Sequence, residues 1–275
     1  MVGKYQPVAG GVVKRGRLRV LHQLARSGGT LINRLLLTQA RSAILSEVHP
    51  DGFATLDALV QAHHWFGLLQ ADDMAELAAR NAVPYAEAIA LIARKAAKAR
   101  RPLILRDWSH LDFMPFDMGI APSMTSRQVA VLSSGFDLLR VASVRHPLDH
   151  WLSLAAMLTA EGRPPGRAEL EQFLDGALGF ARMALETGFV RYEAIIADPA
   201  TGMGDLCDRL QIGFNAGALA GWAGRIDVST GAVPGRAGLA AEIETLPRRP
   251  APPHLLHFLS RDRRYGEITG LLGYD

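Results

Sequence analysis

The chain has 275 residues, 49% of them hydrophobic and 21% charged. That suffices for one sizeable core and excludes a disordered composition. The net charge of +3 is too small to argue for a nucleic-acid partner, although all but four of the 30 basic residues are arginine. No apolar run approaches the length of about 18 residues that a membrane span needs, and the first residues, MVGKYQPVAGGVVKRGR, lack the apolar segment and cleavage site of a secretory signal. The single cysteine, Cys207, excludes an internal disulfide and a cysteine-rich metal site. It reads as a small buried hydrophobe of a cytoplasmic protein.

In chain order, residues 18–25 (LRVLHQLA) read as a buried strand and 29–40 as a helix. A second strand is expected at 42–48. The alanine- and leucine-rich stretch 55–100, broken near Pro84, reads as two or three helices. PLILRD at 102–107 is a third strand, and 113–126, mixing Pro, Gly, Met and Phe, a long irregular loop. Strand 138–144, helices 148–160 and 167–187, strand 189–193 and helix 199–211 follow. Residues 228–253, rich in Gly, Pro and Arg, read as loop, and 261–271 as a last helix. Strands alternating with helices predict a three-layer α/β fold of one domain over 1–275, its mainly parallel sheet covered on both faces, with ligands at the carboxyl ends of the strands. The stretch 55–126 reads as an insertion that contributes an acceptor site.

The first strand ends in Arg26-Ser27-Gly28-Gly29-Thr30 and a helix begins at once. Glycines let backbone N–H groups approach an anion, the helix N-terminus adds partial positive charge, and Arg26, Ser27 and Thr30 add donors. A plain turn with a hydroxyl cap fits equally. The G-x-x-x-x-G-K-[ST] pattern of ATP loops is absent, because no lysine follows either glycine. A second strand ends in Arg145-His146-Pro147, and Ser153 lies eight residues after Arg145. Arg145 at a strand end and Ser153 on the next helix can hold a second, separate phosphate.

In these two segments the chain resembles the sulfotransferase superfamily, whose donor is PAPS (3′-phosphoadenosine-5′-phosphosulfate). The family's first loop, P-[KR]-S-G-T-T-x-L, corresponds to Ala25 through Leu31, and its second, R-x-P with a serine eight residues on, to Arg145, Pro147 and Ser153. FVRYEAIIADP resembles a family segment whose tyrosine lies near the adenine, here Tyr192. VSTGAVPGRAG at 228–238 resembles a late loop over the 3′-phosphate, with Arg236 as the matching residue. The chain departs from the pattern at Ala25, where proline is usual, and at Gly29, where the family carries a threonine hydroxyl. The resemblance implies a P-loop-like fold, PAPS as donor with PAP as product, no required metal, and a hydroxyl or amine of a small molecule, lipid or carbohydrate as acceptor. It leaves the oligomeric state open.

A general base on the acceptor belongs at a strand end. SEVHPD offers Glu47 and His49 after the second strand, read as base and partner, and RDWSHLDF offers Asp107 and His110 after the third, as acceptor-site residues or the base itself. Each also fits a strand-end cap or ion pair. His63 and His64, adjacent on one helix, cannot ligate a metal together. Trp65, Phe66 and the 113–118 segment read as core before pocket. The other readings are a kinase using ATP and Mg²⁺, which the missing lysine disfavours, and a nucleotide-binding protein without catalysis.

Overall fold

The computed structural model describes residues 16–39, 41–52, 57–80, 82–116, 118–225, 243, 245 and 247–274. Five strands form one parallel sheet: β1 (Gly16–Gln23), β2 (Ala43–Val48), β3 (Leu103–Trp108), β4 (Phe136–Val144) and β5 (Phe189–Arg191), in the order β2-β3-β1-β4-β5. Helix α1 (Gly29–Thr38) follows β1, and α2 (Ala58–His64), α3 (Ala71–Ala78) and α4 (Tyr85–Lys98) separate β2 from β3. Between β3 and β4 come α5 (His110–Phe113) and α6 (Arg127–Leu132). Helices α7 (Pro147–Ala160) and α8 (Arg167–Thr187) lead to β5, and α9 (Tyr192–Ala197) and α10 (Pro199–Arg209) follow it. A 3₁₀ helix at Ala216–Arg225 and two helices at Pro253–Leu259 and Arg263–Leu272 complete the described chain.

The strand-end signals of the sequence lie within two residues of these bounds. Helix Tyr192–Ala197, by contrast, begins inside the segment read as strand, and helix Pro253–Leu259 begins at the last residue of the segment read as loop. At β5 only three residues pair before Tyr192 turns helical, because β4 ends opposite Arg191 and offers no further ladder. Helix Pro253–Leu259 begins at a Pro-Pro step, Pro252 at its N-cap and Pro253 at its first position, a signal masked by the surrounding Gly, Pro and Arg.

Alternation along the strands sorts the core. Leu21, Ile44, Ile104 and Val141 face α1 and α10, where they meet Ile32, Leu35, Leu36, Met203, Leu206 and Cys207. Leu18, Leu45, Leu103 and Leu105 face α2 and α4, and Ala142 and Val144 face α7 and α8. Every strand is therefore apolar on both sides, as a sheet covered twice requires. Cys207 is buried, and burial pushes its thiol up to about 12, so it is chemically inert. Phe113 and Met114 are core, while Trp65 and Phe66 are half-buried, Phe66 beneath the Arg101 guanidinium.

The strand order has a functional consequence. The chain leaves β1 toward β2 on one side and leaves β4 toward β5 on the other. The loops that follow β1 and β4 part company there, and the crevice they leave is where an open α/β sheet takes its ligand.

Helix α8 crosses α5 closely at Gly176, where a Cβ would stand 2.2 Å from the Phe113 carbonyl oxygen. Gly176→Ala therefore lowers stability by roughly 2 kcal/mol or more through overpacking, against the usual gain from alanine in a helix. Gly266→Ala, in a helix with nothing near it, raises stability by about 0.5–1 kcal/mol. Urea unfolding of the two variants checks the pair of signs.

Candidate functional site

The turn after β1 is wound tightly. Arg26 takes a left-handed backbone (φ 67°) and Gly28 another (φ 95°). The Ser27 N–H and hydroxyl both donate to the Leu24 carbonyl, at 3.3 and 2.8 Å, which closes the turn and uses the hydroxyl proton. A Cβ on Gly28 would lie 2.2 Å from the Tyr192 ring, so only glycine lets that ring rest on the loop. From below, His150 donates from Nε2 to the Ala25 carbonyl at 2.7 Å. Burial pushes the His150 ring down to about 3, which keeps it neutral. Helix α1 starts at Gly29 with no acidic residue in its first turn, so its N–H groups and partial positive charge face the crevice uncompensated.

Arg145 leaves the end of β4 into the same crevice. Its Nη1 donates to the Arg26 carbonyl at 3.1 Å, and its guanidinium lies 5.1 Å from the Tyr192 ring centroid. The Arg26 Nε reaches Ser153 Oγ on α7 at 3.4 Å. Glu193 braces the turn, accepting from the His146 N–H at 2.9 Å and from the Tyr274 hydroxyl at 2.8 Å. Arg26, Ser27, Gly28, Arg145, Ser153 and Tyr192, expected from sequence to hold a nucleotide, thus meet in one place. Thr30 stands half-buried in the first turn of α1. Arg236 and its 228–238 loop lie outside the described residues.

Gly29 has neighbours that no sequence motif points to. A Cβ there would stand 2.7 Å from Arg106 Nη1 and 2.8 Å from Gln23 Oε1. Arg106 and Gln23 share the face of Ile104 and Leu21, the face that α1 covers, so period-2 alternation carries both beneath the loop. Arg106 donates from Nη2 to Ser46 Oγ and pairs with Glu47 Oε1 at 3.2 Å. Consecutive strand residues normally point apart. Ser46 and Glu47 both reach Arg106 because the β2 register shifts between Leu45 and Val48 and Glu47 takes a positive φ of 53°. A bulge at that point leaves no mark in SAILSEV beyond its polar end.

The remaining candidates separate. His110 is buried with its Nδ1 unpartnered. Burial lowers its pKa to about 4, against a smaller raising effect from the Glu47 carboxylate. It therefore sits near Glu47 as a neutral ring, stacked on Phe116 at 5.4 Å. Asp107 is inside the sheet, where one oxygen accepts from His22 Nδ1 and from the Ser109 hydroxyl, both at 2.7 Å. His49 has no exposed surface and faces Asp112 at 3.2 Å instead of Glu47. His49, Asp107 and Asp112 bring one ligand atom each within 4.8 Å of one another. However, His49 Nδ1 accepts from the Asp51 N–H, so a neutral ring turns its Nε2 proton, not a lone pair, toward the other two. Asp112 already takes the Ser123 hydroxyl and the Arg127 N–H. Each of the three is held by partners of its own, His22 and Ser109 for Asp107, Asp51 for His49, Ser123 and Arg127 for Asp112. His63 donates from Nδ1 to the Leu69 carbonyl at 2.7 Å, and His64 is exposed.

Solved structures with the same architecture are sulfotransferase domains. The sulfotransferase domain of the Synechococcus PCC 7002 olefin synthase is 16% identical, with a TM-score of 0.62 over 98% of this chain and 99% of that one. The sulfotransferase domain from the curacin biosynthetic pathway is 14% identical, with a TM-score of 0.65 over 95% and 99%. No protein-family model and no curated protein matches the chain. The chain therefore has the sulfotransferase fold.

Two neutral buried rings make a testable demand on stability. The unfolded chain protonates His110 and His150 near 6.5, and the folded chain only near 4 and 3. Stability is then level above about pH 6.5 and falls on acidification, by up to about 1.4 kcal/mol per pH unit for each ring, as the unfolded state binds protons the folded state refuses. Urea midpoints between pH 5 and 8 measure this. A double variant, His110→Asn with His150→Gln, flattens the acid slope, and an unchanged slope assigns it elsewhere.

Proposed function

We propose that the protein is a sulfotransferase that takes PAPS as donor and sulfates a hydroxyl or amine of a small-molecule, lipid or carbohydrate acceptor. The observation that carries the reading is the pairing of two separate anion-holding elements in one crevice: the Arg26–Thr30 turn, and Arg145 with Ser153, joined by the Arg145–Arg26 contact. A ligand with a single phosphate has no use for the second element. The residues fit the donor. Gly28 and the Tyr192 ring form a flat wall suited to a purine, and buried polar groups without partners stand under the turn, among them Gln23 and Ser143 Oγ.

In the mechanism so proposed, the α1 N-terminus and the turn hold the 5′ end, Arg145 and Ser153 the 3′-phosphate, and Tyr192 the base. The donor supplies an activated sulfuryl group. Glu47 accepts the proton of the attacking hydroxyl as the new S–O bond forms and the bond to the 5′-phosphate breaks. Charge left on the phosphate is balanced by Arg26, Arg106 and the helix terminus, a fixed arrangement that needs no reorganisation during transfer. The Arg106–Glu47 pair keeps the carboxylate oriented at the edge of the donor site. Neutral His110 lines the acceptor side. The 55–126 segment supplies the acceptor wall in this reading.

Adenosine 3′,5′-bisphosphate at a hundredfold excess over its Kd adds about 2.7 kcal/mol, a rise in melting temperature of roughly 5–10 °C. ATP with Mg²⁺ gives a smaller rise. Arg145→Ala weakens the bisphosphate roughly 100-fold by removing a charged donor. Stabilisation by ATP with Mg²⁺ alone would instead support a kinase. Glu47→Gln leaves bisphosphate binding intact and lowers turnover by about 10²–10⁴ once an acceptor is in hand.

A further inference from the structure

Gly29 replaces the threonine that sulfotransferase loops carry, so one hydroxyl donor to the donor's 5′ end is missing. The space is not empty. Gln23, the last residue of β1, brings its carboxamide oxygen to within 2.8 Å of where a Gly29 Cβ would stand, and a half-turn of the terminal bond puts the amide nitrogen in its place. Gln23 is only 2% exposed, and neither its oxygen nor its nitrogen has a hydrogen-bond partner. A buried carboxamide with both ends unsatisfied is rare, because each lost bond is a desolvation penalty that nothing offsets. Ser143 stands in register beside Gln23 on β4, on the same face of the sheet, and its buried hydroxyl is also unpartnered. Both lie under the N-terminal turn of the ten-residue helix α1.

We propose that Gln23 is a donor-binding residue: with its carboxamide turned over about its last bond, its amide N–H₂ supplies to the 5′-phosphate of PAPS the hydrogen bond that threonine supplies in the family's loop. The inference rests on the donor reading above. It explains why position 29 is glycine. A threonine there would drive its Cβ into the Gln23 carboxamide and the Arg106 guanidinium, so the small residue and the long amide are a matched pair. The carboxamide suits the task because it donates without adding a charge beside Arg106, and its oxygen remains available to the Ser143 hydroxyl. When the phosphate is bound, the orphaned groups find partners.

The test compares two probes, adenosine 3′,5′-bisphosphate and adenosine 3′-monophosphate, which lacks the 5′-phosphate, by titration calorimetry. Gln23→Ala weakens the bisphosphate at least tenfold and leaves the monophosphate, held through Arg145 and Ser153, unchanged. If Gln23→Ala does not fold, Gln23→Glu, of the same shape, reports instead: its carboxylate repels the phosphate and selectively weakens the bisphosphate. Equal loss of both probes assigns Gln23 a structural role and overturns the proposal, as does a variant that binds both like the parent. A parent protein that binds no bisphosphate overturns the donor reading itself, an outcome that the parent alone reveals.

Discussion

The missing side chain at Gly28 is the constraint on which the rest of the site depends. It lets the Tyr192 ring lie on the turn after β1. The ring in turn receives the Arg145 guanidinium, and Arg145 donates back to the Arg26 carbonyl of the same turn. Three segments far apart in sequence, the ends of β1 and β4 and the start of α9, are thereby fixed to one another. A Cβ at that position would push the ring away from the turn and from this three-way contact. The strand order makes the contact geometrically available, since only at the β1–β4 junction do successive loops diverge around a crevice.

Electrostatics in the site follow the same economy. Histidines 110 and 150 are held neutral by burial, so that the positive groups facing the crevice are arginines and a helix terminus. His150 uses its neutral N–H to hold the Ala25 carbonyl, shaping the turn without adding charge. The bulge in β2 turns Glu47 toward Arg106, which keeps a carboxylate close to the proposed anion site that it would otherwise oppose. Arg106 thus joins the donor floor to the proposed base in a single guanidinium.

Much of the fold and part of the site are legible in the amino-acid sequence. The strands and most helices announce themselves by apolar periodicity, and Arg26, Gly28, Arg145, Ser153 and Tyr192 sit in short motifs whose spacing encodes their convergence. Gln23 and Arg106 are not legible, for a physical reason. Each is a polar residue at the end of an otherwise apolar strand, and which face it serves depends on register with neighbouring strands, which no local pattern carries. The pairing of His49 with Asp112 is hidden likewise, because the loop after α5 folds back in a way that its Pro, Gly and Met content does not specify. Glu47 can be named but not oriented, since a bulge is a relation between two strands. The proposed acceptor wall is the least readable part, because the composition of the 55–126 segment fits a core as well as a pocket.

The central claim is that one crevice holds a nucleotide at both its ends. A crystal structure of the protein with adenosine 3′,5′-bisphosphate tests it most directly. The account predicts the 3′-phosphate on Arg145 and Ser153, the adenine against Tyr192, and the 5′-phosphate within hydrogen-bond distance of the Gly28–Thr30 backbone. A nucleotide bound with its 5′-phosphate on Arg145, or bound away from the β1–β4 junction, would contradict it.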